Sequence, residues 1–535
     1  MSNQIEAEFV VVGGGSAGCI VAARLAEAGY RTVLLEAGSA DRNPLIHIPA
    51  GVRYLLNNPR NAWMDVTEPN PHAAGRKLAW QHGRVLGGSG SINGMIFFRG
   101  ARSDFDQWAQ MGATGWGFED VLPHFKALES YRGEAGEHRG TSGPLPVEDR
   151  RFHLPVTEAF VEAARASGHT YLADVNQPEP DGVGYAQMNR FGRFRGSSAR
   201  AFLKRAIHKG NLQVVTGAVA EQLVFDGRRC TGVRFRRDGA QQTATALREV
   251  IVASGTVGSP KLLQLSGVGP ASHLKAKGID VTHALEGVGV NLSDHYGVRL
   301  SVRLKNARSV NETARMPRLA WEIAKWLTAG TGVLTTGVTT AMAFARSREG
   351  LSSPDLQLLF SPSSFDRNRF GALEREPGAS VTVCLSRPKS RGTVMVKSGD
   401  PDEPPAISPN YLSDPDDLSV LMAGIHEVRS ILATGPIAGH VATETLPGRG
   451  VEGGELEQYV RGSGVTIYHP VGTCRMGRDE RAVVDPSLRV RGLEGLRVID
   501  ASIMPTVTSG NTNAPTMMIA EKGAAMIVAE TKRHP

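Results

Sequence analysis

The chain has 535 residues, too many for one ordinary domain, and its hydrophobic (41%) and charged (21%) fractions exclude a disordered or fibrous protein. Its formal net charge of +7 is small for this length, so the chain lacks the basic bias of a nucleic-acid-binding protein. Four scattered cysteines without a Cys-x-x-Cys pair argue against a disulfide framework and against a structural zinc site.

The N-terminal segment bears on cellular location. A short polar lead runs directly into an apolar strand pattern at residues 9–12, leaving no room for a signal peptide. No apolar run approaches the roughly 18 residues that span a bilayer. We therefore expect a cytoplasmic protein whose membrane contact, if any, is peripheral, weak and electrostatic.

The first 36 residues predict a βαβ unit, with strands at 9–12 and 32–35 and a helix ending near residue 28. Between the first strand and the helix, Gly13 makes a tight turn, Gly15 lets the backbone approach a pyrophosphate, and Gly18 allows close helix–strand packing. Glu36 ends the second strand, where its carboxylate can accept hydrogen bonds from ribose hydroxyls and would repel a 2′-phosphate. The unit predicts a dinucleotide site, not for NADP, and leaves FAD and NAD both open.

The densest basic stretch lies at residues 190–200, where four arginines alternate with two phenylalanines. We interpret it as a solvated loop or an anion contact within the protein, and expect no nucleic-acid partner.

The rest of the chain divides into three parts. Strand patterns at 211–225, 232–235 and 249–253 are expected to return to the nucleotide sheet. Residues 300–460 change character, with strands at 356–360 and 380–385, a proline-rich turn at 401–409 and a helix at 416–433. The last 70 residues are again rich in glycine, so we expect one discontinuous domain made of residues 1–155, 195–300 and 465–535. The second domain would comprise residues 156–194 and 301–464.

Two long motifs carry a family resemblance. Residues 83–106, GRVLGGSGSINGMIFFRGARSDFD, and residues 255–269, GTVGSPKLLQLSGVG, resemble the two signatures of the glucose-methanol-choline (GMC) flavoprotein oxidoreductases. The segments SSARAFL at 197, GVGVNLSDH at 287, HPVGTCRMG at 469 and NTNAPT at 511 extend the similarity over the whole chain. The stretch NPLIHIPAG at 43–51 is similar to the bacterial alcohol and choline dehydrogenase branch.

The resemblance implies an α/β protein, α+β overall, in which an FAD/NAD(P)-binding Rossmann-like domain of the glutathione-reductase type joins a substrate domain. That second domain is expected to be built on a mostly antiparallel sheet. Ile92 stands where some choline-oxidising relatives attach FAD through a histidine, so we expect noncovalent FAD. The residues expected to bind FAD are Gly13, Gly15, Ser16, Ala17, Gly18, Glu36, Ala37, Arg84, Gly87, Gly88, Ser89, Asn93, Gly94, Met95, Ile96, Val219, Asp500, Ala501, Asn511, Pro515 and Thr516.

The resemblance also implies the catalytic groups. His469 occupies the position of the family's catalytic histidine, and Asn513 that of a second histidine or asparagine. We expect His469 to take the hydroxyl proton as a neutral base and Asn513 to hydrogen-bond the developing alkoxide. Asn513 could instead cap the following helix. His295 is expected to be structural or near the flavin edge, Cys474 to be a small packing residue, and the histidine spacing to provide no metal site.

The predicted reaction is oxidation of a primary aliphatic or aromatic alcohol to the aldehyde, by hydride transfer to flavin N5, with electrons passing to a quinone-type acceptor. An oxygen-using oxidase and a flavin-containing hydroxynitrile lyase are the alternatives within the family. A nicotinamide enzyme or a noncatalytic nucleotide-binding protein fits the signatures poorly. Residues 319–344 could form an apolar substrate pocket with Phe360 or could be ordinary core. Choline is disfavoured, since no acidic and aromatic box is evident there.

Overall fold

A computed structural model of the chain describes residues 4–149, 154–366 and 371–533. Its first large sheet has seven strands and is built around the predicted βαβ unit, with Gln4–Val12 between its two parallel neighbours. Its strands run in the spatial order Leu212–Thr216, Thr32–Glu36, Gln4–Val12, Ala240–Val252, Arg229–Arg237 and Val219–Asp226, and Leu496–Val498 pairs with Ala240–Val252.

Helices cover this sheet because its strands are apolar on both faces, as in Thr32–Glu36, where every residue is buried. Ser16–Glu27 packs against Asn513–Arg533, which brings the C-terminal segment back to the N-terminal strand. The predicted strand at 211–225 is two strands instead, since the chain turns at Gly217 with a φ of +71°.

The second large sheet also has seven strands, and every pairing in it is antiparallel. The helix Pro415–Leu432 packs on one face, where Gly424 lies against Val383 and Leu356. This supports the mostly antiparallel sheet expected for the second domain, whose boundaries we keep as a proposal. Its strands run in the order Val441–Leu446, Tyr296–Leu304, Gly378–Leu385, Leu356–Ser361, Ala341–Ala345 and Gly182–Tyr185, and Val465–Thr466 pairs with Tyr296–Leu304.

Smaller elements connect the two sheets. The other helices of eight or more residues are Arg102–Gln110, Phe118–Leu128, Pro155–Ala166, Gly255–Leu265, Arg318–Thr328 and Gly453–Ser463. The shorter strands are Ala62–Trp63 with His82–Gly83, Val268–Gly269 with His283–Ala284, Val290–Leu292 with Gly392–Met395 and Ala406–Ser408, and Glu129–Tyr131 with Leu145–Glu148, Met188–Phe191 and Phe194–Arg195.

The arginine stretch at 190–200 is largely used inside the protein. Arg190 pairs with buried Glu148 at 2.7 Å, and buried Arg195 donates to the carbonyl oxygens of Ile46 and Asn93. Arg200 lies over the rings of Phe191 and Phe194 in cation–π contact. Arg190 thus makes the anion contact expected within the protein, whereas Arg195 binds carbonyl oxygens and Arg200 lies against aromatic rings.

The helix Arg318–Thr328 lies on the surface and exposes an apolar side. Trp321 is 65% exposed and Leu327 is 58% exposed, and Met316, just before the helix, is 72% exposed. Among the described residues, no helix combines the length and apolar character needed to cross a bilayer.

Candidate active site

A cavity of about 1430 Å³ lies between the two large sheets. One end is lined by the glycine turn after the first strand, and the other by the face of the second sheet opposite Pro415–Leu432. The C-terminal segment containing His469, Asn511 and Asn513 lines the wall between these ends. The cavity is therefore long enough to join a dinucleotide site to a reaction site.

Gly13 and Gly18 have the tight turn and the close packing expected of them, and Gly15 lies open to the cavity. Gly13 has a φ of +99°, and a Cβ atom there would lie 2.6 Å from the carbonyl oxygen of Ala253. A Cβ on Gly18 would lie 1.8 Å from the Gly13 carbonyl oxygen, so only glycine lets the helix pack this closely. Gly15 has open space around it and lines the cavity at the N-terminus of Ser16–Glu27, where backbone N–H groups favour an anion.

Glu36 ends its strand with its carboxylate held in place. Its two oxygens accept hydrogen bonds from the backbone N–H groups of Gly14 and Gly38, each at 2.7 Å. Each carboxylate oxygen keeps a second lone pair, and the residue lines the cavity. It can therefore accept hydrogen bonds from ribose hydroxyls, as predicted.

The first signature forms a loop that packs on the glycine turn. Gly88 has a φ of +53°, and a Cβ there would lie 2.7 Å from the Cα of Gly15. Gly87 donates its N–H to the Gly14 carbonyl oxygen at 2.7 Å. Farther along, Asn93 is held by Arg195, which donates to both its carbonyl and side-chain oxygens at 2.6 and 2.9 Å. The loop is thus fixed beside the dinucleotide end of the cavity.

Most residues expected to bind FAD line this one cavity. Gly18, Gly87 and Pro515 do not; they lie behind its wall and support the turn, the loop and the last helix. The lining members of the set are Gly13, Gly15, Ser16, Ala17, Glu36, Ala37, Arg84, Gly88, Ser89, Asn93, Gly94, Met95, Ile96, Val219, Asp500, Ala501, Asn511 and Thr516.

The second signature forms the helix Gly255–Leu265, which connects the sheet to the reaction end. Buried Asp500 accepts hydrogen bonds from the Gly255 N–H at 2.9 Å and the Ser259 hydroxyl at 2.6 Å. The Thr256 hydroxyl donates to the carbonyl oxygen of Pro470 at 2.7 Å. Because Pro470 follows His469 directly, this helix helps to position the histidine.

His469 is buried and lines the cavity. It follows Tyr468, whose φ of +65° is unusual for a tyrosine and turns the chain sharply. The His469 N–H donates to Asp294 Oδ1 at 2.9 Å, while Asp294 Oδ2 accepts from the hydroxyls of Thr466 (2.6 Å) and Tyr411. Burial raises the pKa of Asp294 to about 6. Asp294 therefore anchors the strained segment that presents the histidine.

His295 lies directly behind the ring of His469, with 3.0 Å between their Nδ1 atoms. The Nε2 of His295 is 3.0 Å from the Ser386 carbonyl oxygen, which can only accept, so this nitrogen carries the proton. Burial lowers the pKa of His295 to about 4, so the ring is neutral and its Nδ1 is an acceptor. The network thereby assigns a proton to His469 Nδ1 and leaves a lone pair on His469 Nε2.

Two asparagines of the C-terminal segment line the cavity, with different partners. Asn511 Nδ2 lies 3.0 Å from His469 Nε2 and is the amide in direct contact with this ring. Asn513, expected beside the base, has its Oδ1 occupied by the Ser16 hydroxyl at 2.8 Å. With Oδ1 held this way, the Asn513 Nδ2 hydrogens remain available at the cavity wall, since no other side-chain contact of Asn513 occurs among the described residues.

Residues 319–344 and Phe360, expected to form either an apolar pocket or ordinary core, mostly lie away from the cavity, and Val338 is the member of this set that lines it. Phe344 stacks on Phe98, Phe360 stacks on Phe160, and Trp321 faces outward, so none of them reaches the cavity. Apolar periodicity marks a buried or amphipathic segment but does not say which surface it meets. Among the described residues, the substrate end is lined instead by Ile96, Gly297, Arg299, Val338, Leu359, Phe365, Thr382, Tyr459, Ile467 and Tyr468.

Sequence reasoning missed three contributors to the site. Asp294, inside the quoted segment at 287–295, was not recognised as the anchor of His469, and Asn511 was expected only to bind FAD. Arg299 was not singled out, although its strand alternates arginines with apolar residues. That alternation is a signal that places Arg299 on one face of the sheet.

Comparison with known proteins matches this geometry. Two domain families described as GMC oxidoreductase match residues 7–297 and 388–520. The chain is 40% identical to an alcohol dehydrogenase (acceptor) of Pseudomonas putida, over 97% of this chain and 95% of that one. It is 39% identical to an oxygen-dependent choline dehydrogenase of Brucella melitensis, over 98% and 96% of the two chains. A solved formate oxidase of Aspergillus oryzae, studied for FAD modification, superposes with a TM-score of 0.93 at 26% identity, covering 100% of both chains.

FAD fits the residues that are present. The open backbone at Gly15 and the helix behind it suit a pyrophosphate, and the Glu36 carboxylate suits a ribose. Ile92 is buried beside the loop and has no nucleophilic atom that could form a covalent link. The chain belongs to the GMC oxidoreductase family and is an FAD-dependent oxidoreductase acting on CH–OH donors.

Proposed function

We propose that the protein oxidises the primary CH–OH group of an alcohol to an aldehyde, with His469 as the base and with noncovalently bound FAD. The observation that carries this proposal is the hydrogen-bond chain from the Ser386 carbonyl through His295 to His469, which leaves the Nε2 lone pair facing the cavity. A base that must take a hydroxyl proton needs a lone pair at such a position.

The proton transfer follows from this arrangement. The hydroxyl of a bound alcohol donates to His469 Nε2, in the place that the Asn511 amide takes in the substrate-free protein. As the proton moves, charge develops on the alcohol oxygen, and we propose that the free Nδ2 of Asn513 donates to it. Before the alcohol binds, the Asn511 amide keeps the imidazole oriented through this contact. FAD, held by the glycine turn and Glu36, would supply the acceptor for the hydride.

For the electron acceptor we propose a membrane quinone. The surface helix Arg318–Thr328 exposes Trp321, Ile323 and Leu327, and residues 315–328 contain three basic side chains against one glutamate. That glutamate, Glu322, is buried and paired with Lys325 at 2.7 Å. An apolar and basic helix of this kind suits the surface of an anionic bilayer, where quinones reside. A peripheral protein on the cytoplasmic side is the location that we propose.

The alternative is an oxidase that uses oxygen directly. The relative from Brucella melitensis carries the description oxygen-dependent, so similarity does not separate the two acceptors.

The test begins with purified protein that retains its flavin. Bleaching of the visible flavin band by an alcohol under nitrogen supports the proposed oxidation, and the aldehyde should be recovered. Reoxidation by a soluble quinone much faster than by air supports the dehydrogenase, whereas fast reoxidation by air supports the oxidase. Bound flavin that no alcohol bleaches contradicts the proposal and favours the hydroxynitrile lyase, for which release of cyanide from a hydroxynitrile is the assay.

A further inference from the structure

Arg299 is a cation at the substrate end of the cavity, and it has no counter-ion among the described residues. It lies on the strand Tyr296–Leu304, on the face shared with Gly297, and its strand neighbour Thr382 also lines the cavity. The guanidinium makes no ion pair and no side-chain hydrogen bond with any described residue, and its Nε is buried without a partner. A buried charge left unpaired is expensive, so its retention calls for an explanation.

The surroundings of Arg299 are aromatic rather than acidic. Its guanidinium carbon lies 4.5 Å from the centroid of the Phe365 ring. Burial lowers the pKa of Arg299, and the nearby hydroxyls of Tyr459 and Tyr468 oppose this shift only in part. The protein therefore holds the cation in place without neutralising it.

The position of Arg299 connects it to the reaction. The strand Val465–Thr466, just before Tyr468 and His469, pairs with the strand that carries Arg299, so the guanidinium and the catalytic segment lie on neighbouring walls of the cavity. The pyrophosphate of FAD belongs at the opposite end, beside Gly15 and Ser16, where the glycine turn provides its own donors. An anion that pairs with Arg299 therefore belongs to the substrate.

From this arrangement we infer that the substrate is an alcohol carrying a carboxylate, which pairs with Arg299 while the CH–OH group reaches His469 Nε2. A planar guanidinium suits a carboxylate because two parallel N–H donors can bind its two oxygens. The same feature disfavours choline, since the aromatic face of Phe365 already holds the protein's own cation and like charges repel. This inference rests on the proposed alcohol oxidation and names its substrate class.

The experiment compares pairs of alcohol substrates that have a similar shape, one carrying a carboxylate and the other neutral. The holoenzyme is assayed with para-hydroxymethylbenzoate against para-methylbenzyl alcohol, with ω-hydroxyhexanoate against hexanol, and with choline. We expect kcat/KM to favour the carboxylate of each pair by about tenfold or more, and choline to be the poorest substrate. In Arg299→Gln the preference ratio, which is kcat/KM for the carboxylate divided by kcat/KM for its neutral counterpart, should fall by about tenfold or more, to near one, and Arg299→Lys should retain part of it.

Arg303→Gln is the matched control, because Arg303 lies on the same strand but is already paired with Glu374 and Glu376. Its preference ratio should equal that of the native protein. A binding measurement independent of turnover uses para-methylbenzoate, which lacks a hydroxyl group. It should perturb the flavin spectrum of the native holoenzyme at far lower concentration than that of Arg299→Gln.

Three outcomes decide the matter. Neutral alcohols that are oxidised as well as their carboxylated partners would overturn the inference while leaving the proposed oxidation intact. An Arg299→Gln variant that slows every alcohol equally would also overturn it, and would place Arg299 in a general role toward the flavin. If no alcohol of either charge bleaches the flavin, the proposed function itself fails.

Discussion

The Nδ1 atoms of His295 and His469 lie 3.0 Å apart, and only one of these atoms can carry a proton in the hydrogen bond between them. The Ser386 carbonyl on the far side of His295 decides which one, since it requires a proton on His295 Nε2. His295 is thus a positioning residue that sets the tautomer of His469, the proposed base.

Removing the acceptor behind the base should slow the reaction. In His295→Leu, His469 Nδ1 loses its partner, so the ring can adopt the tautomer that has no lone pair at Nε2. We expect kcat to fall by about 10- to 100-fold with the flavin retained. His295→Gln can still accept at one end of its amide and donate at the other, so it should restore part of the rate. Equal loss in both variants would contradict the tautomer argument.

The pH dependence should show an acid limb at unusually low pH. Burial, reinforced by His295, places the pKa of His469 well below its ordinary value of 6.5. Because the neutral form is active and a lowered pKa extends that form to more acidic pH, kcat/KM should stay level through neutral pH and decline only below 6.5. A limb centred above 6.5, measured with a substrate that does not itself titrate there, would contradict this assignment.

Asp294 should affect both rate and pH profile. The Asp294 carboxylate accepts hydrogen bonds from the His469 N–H and from the Thr466 and Tyr411 hydroxyls. In Asp294→Asn one carboxylate oxygen becomes an NH2 group, which cannot accept, so at least one of these donors loses its partner. We expect kcat to fall by about tenfold or more, because the segment that presents His469 loosens. A loosened His469 is less buried, so its pKa should rise and the acid limb should move to higher pH. A lower melting temperature with an unchanged limb would indicate a purely structural role.

Substitutions of Asn511 and Asn513 should lower the rate to different extents. Asn513→Ala removes the proposed donor to the alkoxide and should lower kcat/KM by about 100-fold, whereas Asn511→Ala should cost about tenfold because it only loosens the orientation of His469. Stopped-flow flavin reduction under nitrogen measures the step directly, and flavin content must be checked since Asn513 also contacts Ser16. A larger loss in Asn511→Ala than in Asn513→Ala would exchange the two roles.

The sequence predicted the dinucleotide end of the site better than the substrate end, for a physical reason. Gly13, Gly18 and Glu36 act through local backbone geometry over a few residues, and local geometry leaves a recognisable spacing. The pairing of His295 with His469 joins residues 174 positions apart and depends on how the second sheet meets the C-terminal segment. Likewise, the alternation of polar and apolar residues places Arg299 on one face of its strand, but only the folded chain shows that no carboxylate of residues 4–149, 154–366 and 371–533 pairs with it.

The surface helix should bind anionic membranes. Trp321 and Leu327 together would bury apolar area that is now exposed to water, and Arg318 would meet anionic headgroups. Cosedimentation with vesicles should show binding that rises with phosphatidylglycerol content and falls with salt. The double variant Trp321→Ser, Leu327→Ser should bind about tenfold more weakly.

The matched control is Leu247→Ser, which removes an exposed apolar side chain from the strand Ala240–Val252. It should bind vesicles like the native protein. The double variant should reduce soluble quinone at the native rate but lose the advantage with quinone embedded in vesicles, because only delivery to the bilayer has changed. If the double variant binds vesicles as tightly as the native protein, the proposed membrane role is contradicted. Sedimentation equilibrium gives the oligomeric state. If the native protein is a dimer and the double variant a monomer, this face is a contact between two copies of the chain.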